Sequence, residues 1–199
     1  MAVENNNQIK DTIVSFLQNI LQNSEFSSEL VDILSELAKP VECPQGSVLL
    51  KAGSYCKYLF IIQKGFARRY SLSDGKDITL EFAQEHELIS SQYSIIAKQP
   101  SMDYIETLED SIILKINFED IIKLYNISRE ALVIGRLMRD NHYLKLEKRI
   151  LSLQSTTARE RYNNLLKNHP HIIKRASLGQ IASYLGMTQE NLSRVRRKK

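Results

Sequence analysis

The chain has 199 residues, 43% of them hydrophobic and 25% charged, with a formal net charge of +4. That is enough for one large domain or two small ones around a real core, and it excludes a disordered or fibrous chain. From Lys174 onward the positive residues are Lys174, Arg175, Arg194, Arg196, Arg197, Lys198 and Lys199, against Glu190 alone; the end of the chain is +6 and residues 1–173 carry −2.

Basicity gathered on one terminal module suits a phosphate-binding face. Cys43 and Cys56 are the only cysteines, too few for a four-thiolate cluster or zinc site. The sequence shows no signal peptide and no apolar run of membrane length. The expectation is therefore a protein of a reducing cytoplasm, with no membrane partner.

In chain order, residues 1–7 read as polar and frayed. Ile9, Ile13, Phe16, Leu17, Ile20 and Leu21 then recur at helical spacing, and a second short helix is expected over Ser28 to Leu37, with Pro40 closing the region. From Val41 the period changes. Short β-rich runs (Val48 to Leu50, Tyr58 to Ile62, Phe66 to Tyr70, Ile78 to Phe82) alternate with Pro44-Gln45-Gly46, Gly53-Ser54, Lys64-Gly65 and Asp74-Gly75. This is the rhythm of an antiparallel barrel or roll, with Asp74-Gly75 as a two-residue hairpin turn. A short helix near Ser94 to Lys98, strands at Tyr104 to Leu108 and Ile112 to Ile116, and a helix from Phe118 complete this unit.

A long helix is expected over Arg129 to Leu153, capped by Ser128. Leu137, Leu144 and Leu151 lie seven residues apart, a coiled-coil-like dimer seam, while Leu132, Leu146, Ile150 and Leu153 give a second apolar side expected to pack on the roll. Thr157 and Glu160 form a capping box for another helix over Ala158 to Lys167, which makes Ser152 to Thr156 the expected hinge.

The last stretch, SLGQIASYLGMTQENLSRVRRKK, reads as a helix-turn-helix. Ser177 caps a first helix with Gln180 completing the box, small Ala182 lets a second helix cross closely, and Gly186 stops the first helix in the left-handed conformation. Thr188 caps the second helix, whose inner face is Leu192 and Val195. Gln189, Glu190, Ser193, Arg194 and Arg197 face outward, as a reader of the major groove requires. The organisation is α+β: residues 1–128 form an antiparallel β-roll sensor with N-terminal helices, 129–153 a dimerisation helix and 154–199 a helix-turn-helix head.

This order resembles the Crp/Fnr family of bacterial transcription regulators. The resemblance rests on QGSVLLKAG, YLFIIQKGFARRY and SDGK in the roll and on SLGQIASYLGMTQENLSRVRRK in the head. It implies a cytoplasmic homodimer that binds double-stranded DNA and works with RNA polymerase, and a roll shaped like a cyclic nucleotide-binding domain. By position, Gln189, Glu190 and Arg194 would read bases. Ser177, Thr188, Ser193, Arg197 and Lys198 would complete the DNA-facing set.

The effector pocket would lie at Ile89, Ser90, Ser91, Gln92, Ser101 and Met102. There the chain departs from the family pattern: Ser90-Ser91 stands in place of Gly-Glu, and Ser101-Met102 in place of the phosphate-binding arginine and its neighbour. A cyclic phosphate without a cation loses its electrostatic compensation, so cyclic AMP is not expected; an unidentified small effector or none remains. The chain ends soon after the second helix, so any β-wing is expected before it, around Ile172 to Ala176. No metal cluster or nucleophile–base constellation is expected, and the chain does not read as an enzyme. The competing reading is a ligand-binding signalling module whose terminal helices make protein contacts.

Overall fold

The computed structural model describes residues 2–21 and 25–197. Two helices, α1 (Ala2–Leu21) and α2 (Ser28–Leu37), precede eight strands, β1 (Lys39–Cys43), β2 (Val48–Leu50), β3 (Tyr58–Lys64), β4 (Ala67–Ser73), β5 (Lys76–Ala83), β6 (Leu88–Ile89), β7 (Tyr104–Thr107) and β8 (Ser111–Asn117), with α3 (Gln92–Ala97) between β6 and β7. The helices α4 (Phe118–Ile127), α5 (Arg129–Ser155), α6 (Ala158–Asn168), α7 (Pro170–Arg175), α8 (Leu178–Tyr184) and α9 (Gln189–Arg197) follow.

The strands form two antiparallel four-stranded sheets, ordered β1-β8-β3-β6 and β2-β7-β4-β5. Ile62, Ile89, Ile105, Ile113 and Leu114 are all almost fully buried; Ile113 and Leu114 are neighbours on β8 and point to its two faces, so both faces of that strand are covered. Ile13 and Leu17 of α1, Leu30 of α2, Leu124 of α4 and Ile134 of α5 extend the same core. The β4–β5 hairpin turns at Asp74-Gly75, whose φ values of 50° and 73° are those of a type I′ turn closing Ser73 on Lys76. Among the described residues no helix is long and apolar enough to cross a membrane.

The structure refines two of the sequence expectations and corrects two. The helical region closes at Leu37, and Pro40 is the second residue of β1, where it is tolerated because β1 is an edge strand. Residues 170–175 form a helix, α7, not a β-wing: Pro170 at the first helical position starts it at no hydrogen-bond cost. The long helix runs two residues past its expected end, to Ser155, and Thr156, inside the expected 152–156 segment, closes it with an extended φ/ψ and an N–H bond to Ser152 O. The side of α5 expected to pack on the roll does not do so. Leu132, Leu146, Ile150 and Leu153 are all exposed, and it is Ala131 and Ile134 that are buried.

Candidate DNA-reading head and effector pocket

The helix-turn-helix is built by its caps. Ser177 Oγ accepts from Gln180 N while Ser177 N donates to Gln180 Oε1, so α8 starts at a closed capping box. The chain leaves α8 at Gly186, φ 63°, and Asn191 N donates to Thr188 Oγ1 to start α9. Leu192 is fully buried against Ile181, Ala182, Leu185 and Leu165, which fixes the roll of α9 about its axis. Its other face is thereby presented to solvent: Gln189, Glu190, Arg194 and Arg197 are exposed and Ser193 is half-buried. Hydrogen bonds from its own main-chain N–H and from the Thr188 hydroxyl hold the Glu190 carboxyl below its ordinary value. Ser177 and Thr188 are exposed but their hydroxyls accept the capping bonds. Lys198 lies outside the described residues.

The sites named for an effector lie together, with two exceptions. Ile89, Ser90, Ser91 and Ser101 are buried; Gln92 is only half-buried and donates to Ser90 Oγ, and Met102 points into solvent. At the centre of the buried group is a residue that motif reasoning passed over, Asp103. Ser91 Oγ donates to Asp103 Oδ1 at 2.8 Å, Ser101 Oγ to the same oxygen at 2.7 Å, and the Arg69 guanidinium of β4 to Oδ2. Burial works to raise the Asp103 carboxyl, but the bonds from Ser101, Arg69 and Ser91 hold it below its usual range. A carboxylate of the chain itself thus takes the hydroxyls of Ser91 and Ser101. Beside it, Arg68 is buried in a second ion-pair group with Glu106 and Asp77. The legible signal was Asp103 two residues beyond Ser101 on an inward-facing register, opposite paired arginines on β4.

The head does not hang free of the roll. Phe66 and Phe82 stack on each other at 5.4 Å and join the head's core with Leu165, Ile172 and Ile181. Arg175 lies over the Phe66 ring and bridges Glu85 and Glu109. Thr79 N of β5 donates to Ser183 Oγ of α8. The contacts between roll and head are not visible in a sequence, because the polar ones among them join residues 66 to 104 positions apart.

On α5, Leu137, Leu144 and Leu151 are 37%, 47% and 55% exposed. An open cleft of about 390 Å³ between α1 and α5 includes Val133 and Leu137 in its wall. Cys43 and Cys56 are both buried, and burial raises both thiols above the ordinary range. Among the described residues no three His, Cys, Asp or Glu side chains are placed to hold a metal ion.

The architecture is a two-sheet roll with an inserted short helix, joined through one long helix to a helix-turn-helix. Residues 40–128 match the cyclic nucleotide-binding domain family. Over 190 residues the chain is 24% identical to the fumarate and nitrate reduction regulatory protein of Yersinia pestis, covering 86% of this chain and 72% of that one. The fold is shared with FixK2 from Bradyrhizobium japonicum (TM-score 0.68, 19% identity, 80% of this chain and 82% of that one). It is shared also with the catabolite activator protein of Thermus thermophilus (TM-score 0.53, 21% identity, 86% and 82%). The chain carries a match to the cyclic nucleotide-binding domain over less than half its length, and over most of its length it is similar to regulators of the Crp/Fnr type.

Proposed function

We propose that the protein is a dimeric, DNA-binding transcription regulator whose roll does not use cyclic AMP. The observation that carries the DNA reading is α9 itself. Leu192 anchors it, and the opposite face offers Gln189, Glu190 and Arg194 to solvent on a head that gathers the chain's excess positive charge. Arginine makes bidentate contacts to guanine and glutamate accepts from cytosine, so this face can distinguish base pairs. Two such heads are needed to span two half-sites. The exposed Leu137, Leu144 and Leu151 form the surface through which α5 would pair with its copy. The regulator's further partner would be RNA polymerase, and its place the cytoplasm.

The effector reading rests on Asp103. Its carboxylate already accepts from Ser91 and Ser101 and would repel a phosphate in the same space. Selecting genomic DNA with the purified protein, then titrating a selected and a scrambled duplex at several salt concentrations, tests the function. A regulator binds the selected duplex tighter, with a salt slope set by its phosphate contacts. Absence of any salt-dependent binding would shift the function of α9 to protein contacts.

A further inference from the structure

The turn that aims α9 is held from outside the helix-turn-helix. Three consecutive residues, Tyr184, Leu185 and Gly186, each meet a side chain from α5 or α6. Arg149 of α5 donates to Tyr184 O at 2.9 Å and lies over the Tyr184 ring, 4.2 Å from its centroid. The same guanidinium reaches Thr79 O on β5 at 3.5 Å, so one side chain joins long helix, roll and head. Arg161 of α6 donates through Nε to Leu185 O at 2.8 Å and also to Thr156 O at the bend. Leu153 packs so closely on Gly186 that a Cβ there would stand 2.7 Å from Leu153 Cδ2.

Arg149 is singular in its stretch. From Tyr143 to Leu151 it is the one residue of α5 that is not exposed. At about 100° per residue, Arg149 and Leu153 lie on the side of α5 opposite Leu144 and Leu151. The helix therefore has a seam on one side and a grip on the turn on the other. A guanidinium presents five donors in a rigid fork, which suits it to fixing carbonyls from different elements at once.

We propose that Arg149 is a positioning residue for DNA reading. It ties the turn between α8 and α9 to the long helix α5 and to β5, so that the direction of α9 is fixed relative to α5. This rests on the DNA-binding reading above, and one arm of its test is independent of DNA.

Two variants carry the test: Arg149→Met keeps an unbranched stem without donors, and Arg149→Lys keeps the charge without the fork. In the first arm, amide hydrogen exchange is followed residue by residue in the full-length protein. In Arg149→Met the amides of Leu185, Gly186 and Met187 should exchange about tenfold faster, the scale of losing a charge-assisted hydrogen bond. Those of β3 and α1 should be unchanged, and Arg149→Lys should fall between. In the second arm, duplexes carrying the selected half-sites at spacings stepped by one base pair are titrated. Wild type should prefer one spacing; Arg149→Met should keep the base preference within a half-site and lose about tenfold of the spacing preference.

Unchanged exchange at the turn overturns the proposal whether or not the protein binds DNA. Equal weakening on every spacing also overturns it, because a merely structural loss would act that way. If wild type binds no DNA while the turn amides still loosen, the tether stands and the DNA reading falls.

Discussion

Arg175 of α7 grips Glu85 of the β5–β6 loop with two hydrogen bonds of 2.9 Å, across ninety positions of sequence. The Arg175 bonds, together with a bond from Gly65 N, bring the Glu85 carboxyl down to about 2. Its counterpart Glu109 accepts from the same guanidinium at 2.6 Å. This ion pair is the polar edge of the apolar contact through which the head rests on Phe66 and Phe82.

A depressed carboxyl stabilises the fold above its unfolded value of about 4.5, and that contribution is lost as pH falls toward about 2. Stability against urea should therefore decline across this window, and Glu85→Gln should show a flatter profile there with a lower plateau near neutrality. Glu85 and Arg175 are partly solvated, so the difference should be modest. A profile of Glu85→Gln parallel to wild type between pH 5 and 2 would remove Glu85 from the linkage.

Self-association should depend on Leu144. It is 47% exposed in the single chain between Leu137 and Leu151, and burying a leucine is worth about 1.5–3 kcal/mol. In a symmetric pair each residue counts twice. Leu144→Glu should shift the dimer–monomer equilibrium by at least a hundredfold in sedimentation equilibrium. A wild-type chain that sediments as a monomer at tens of micromolar would contradict the seam.

The Asp103 group should both hold the roll together and exclude cyclic AMP. Asp103→Asn leaves Ser91, Ser101 and Arg69 around a neutral amide. Breaking a buried ion pair by removing one partner costs on the order of 3–5 kcal/mol, which urea denaturation would read. Calorimetry of the wild-type protein with cyclic AMP should show no tight binding. Sub-micromolar affinity would mean that the Asp103 carboxylate leaves its hydroxyls to admit a phosphate.

Within the head, base reading and phosphate holding should separate. Arg194 stands on the exposed face of α9, so Arg194→Ala should cost about 1–3 kcal/mol on the preferred duplex and flatten preference at one base position per half-site. Lys198→Ala, at the basic end of the sequence, should weaken selected and scrambled duplexes alike and reduce the salt slope by about one unit. Equal weakening of both duplexes by Arg194→Ala would make it a phosphate contact.

Gly186 combines a left-handed φ of 63° with the close approach of Leu153. Gly186→Ala should lose about 1–2 kcal/mol from the conformation alone, and more if Leu153 cannot swing aside. Leu153→Ala in the same chain should recover part of the loss, a coupling that a double-mutant cycle measures.

What the sequence determined by itself was local. Cap residues, turn glycines and periodicity depend on neighbours within a few positions, which is why Ser177 with Gln180, Gly186, Asp74-Gly75 and the span of α5 were legible before any fold was known. The two-residue β6, the strand through Pro40 and the helix at Pro170 were not. Their signals are short, and partners elsewhere in the chain decide them: β8 for β1, β3 for β6 and α6 for α7.

The tertiary structure alone decided what stands at the roll's centre and how the head sits. Motif positions gave Ser91 and Ser101, but only folding brings Asp103 and Arg69 onto them and so fills the group with the chain's own charge. Heptad spacing picked out Leu137, Leu144 and Leu151, which α5 leaves exposed, but could not say which other side would be covered. The buried residues are Ala131 and Ile134, in the half of α5 that packs on α1 and α4, and the distal half is gripped through Arg149, because a side chain's burial depends on which distant surface reaches it rather than on its spacing along the helix.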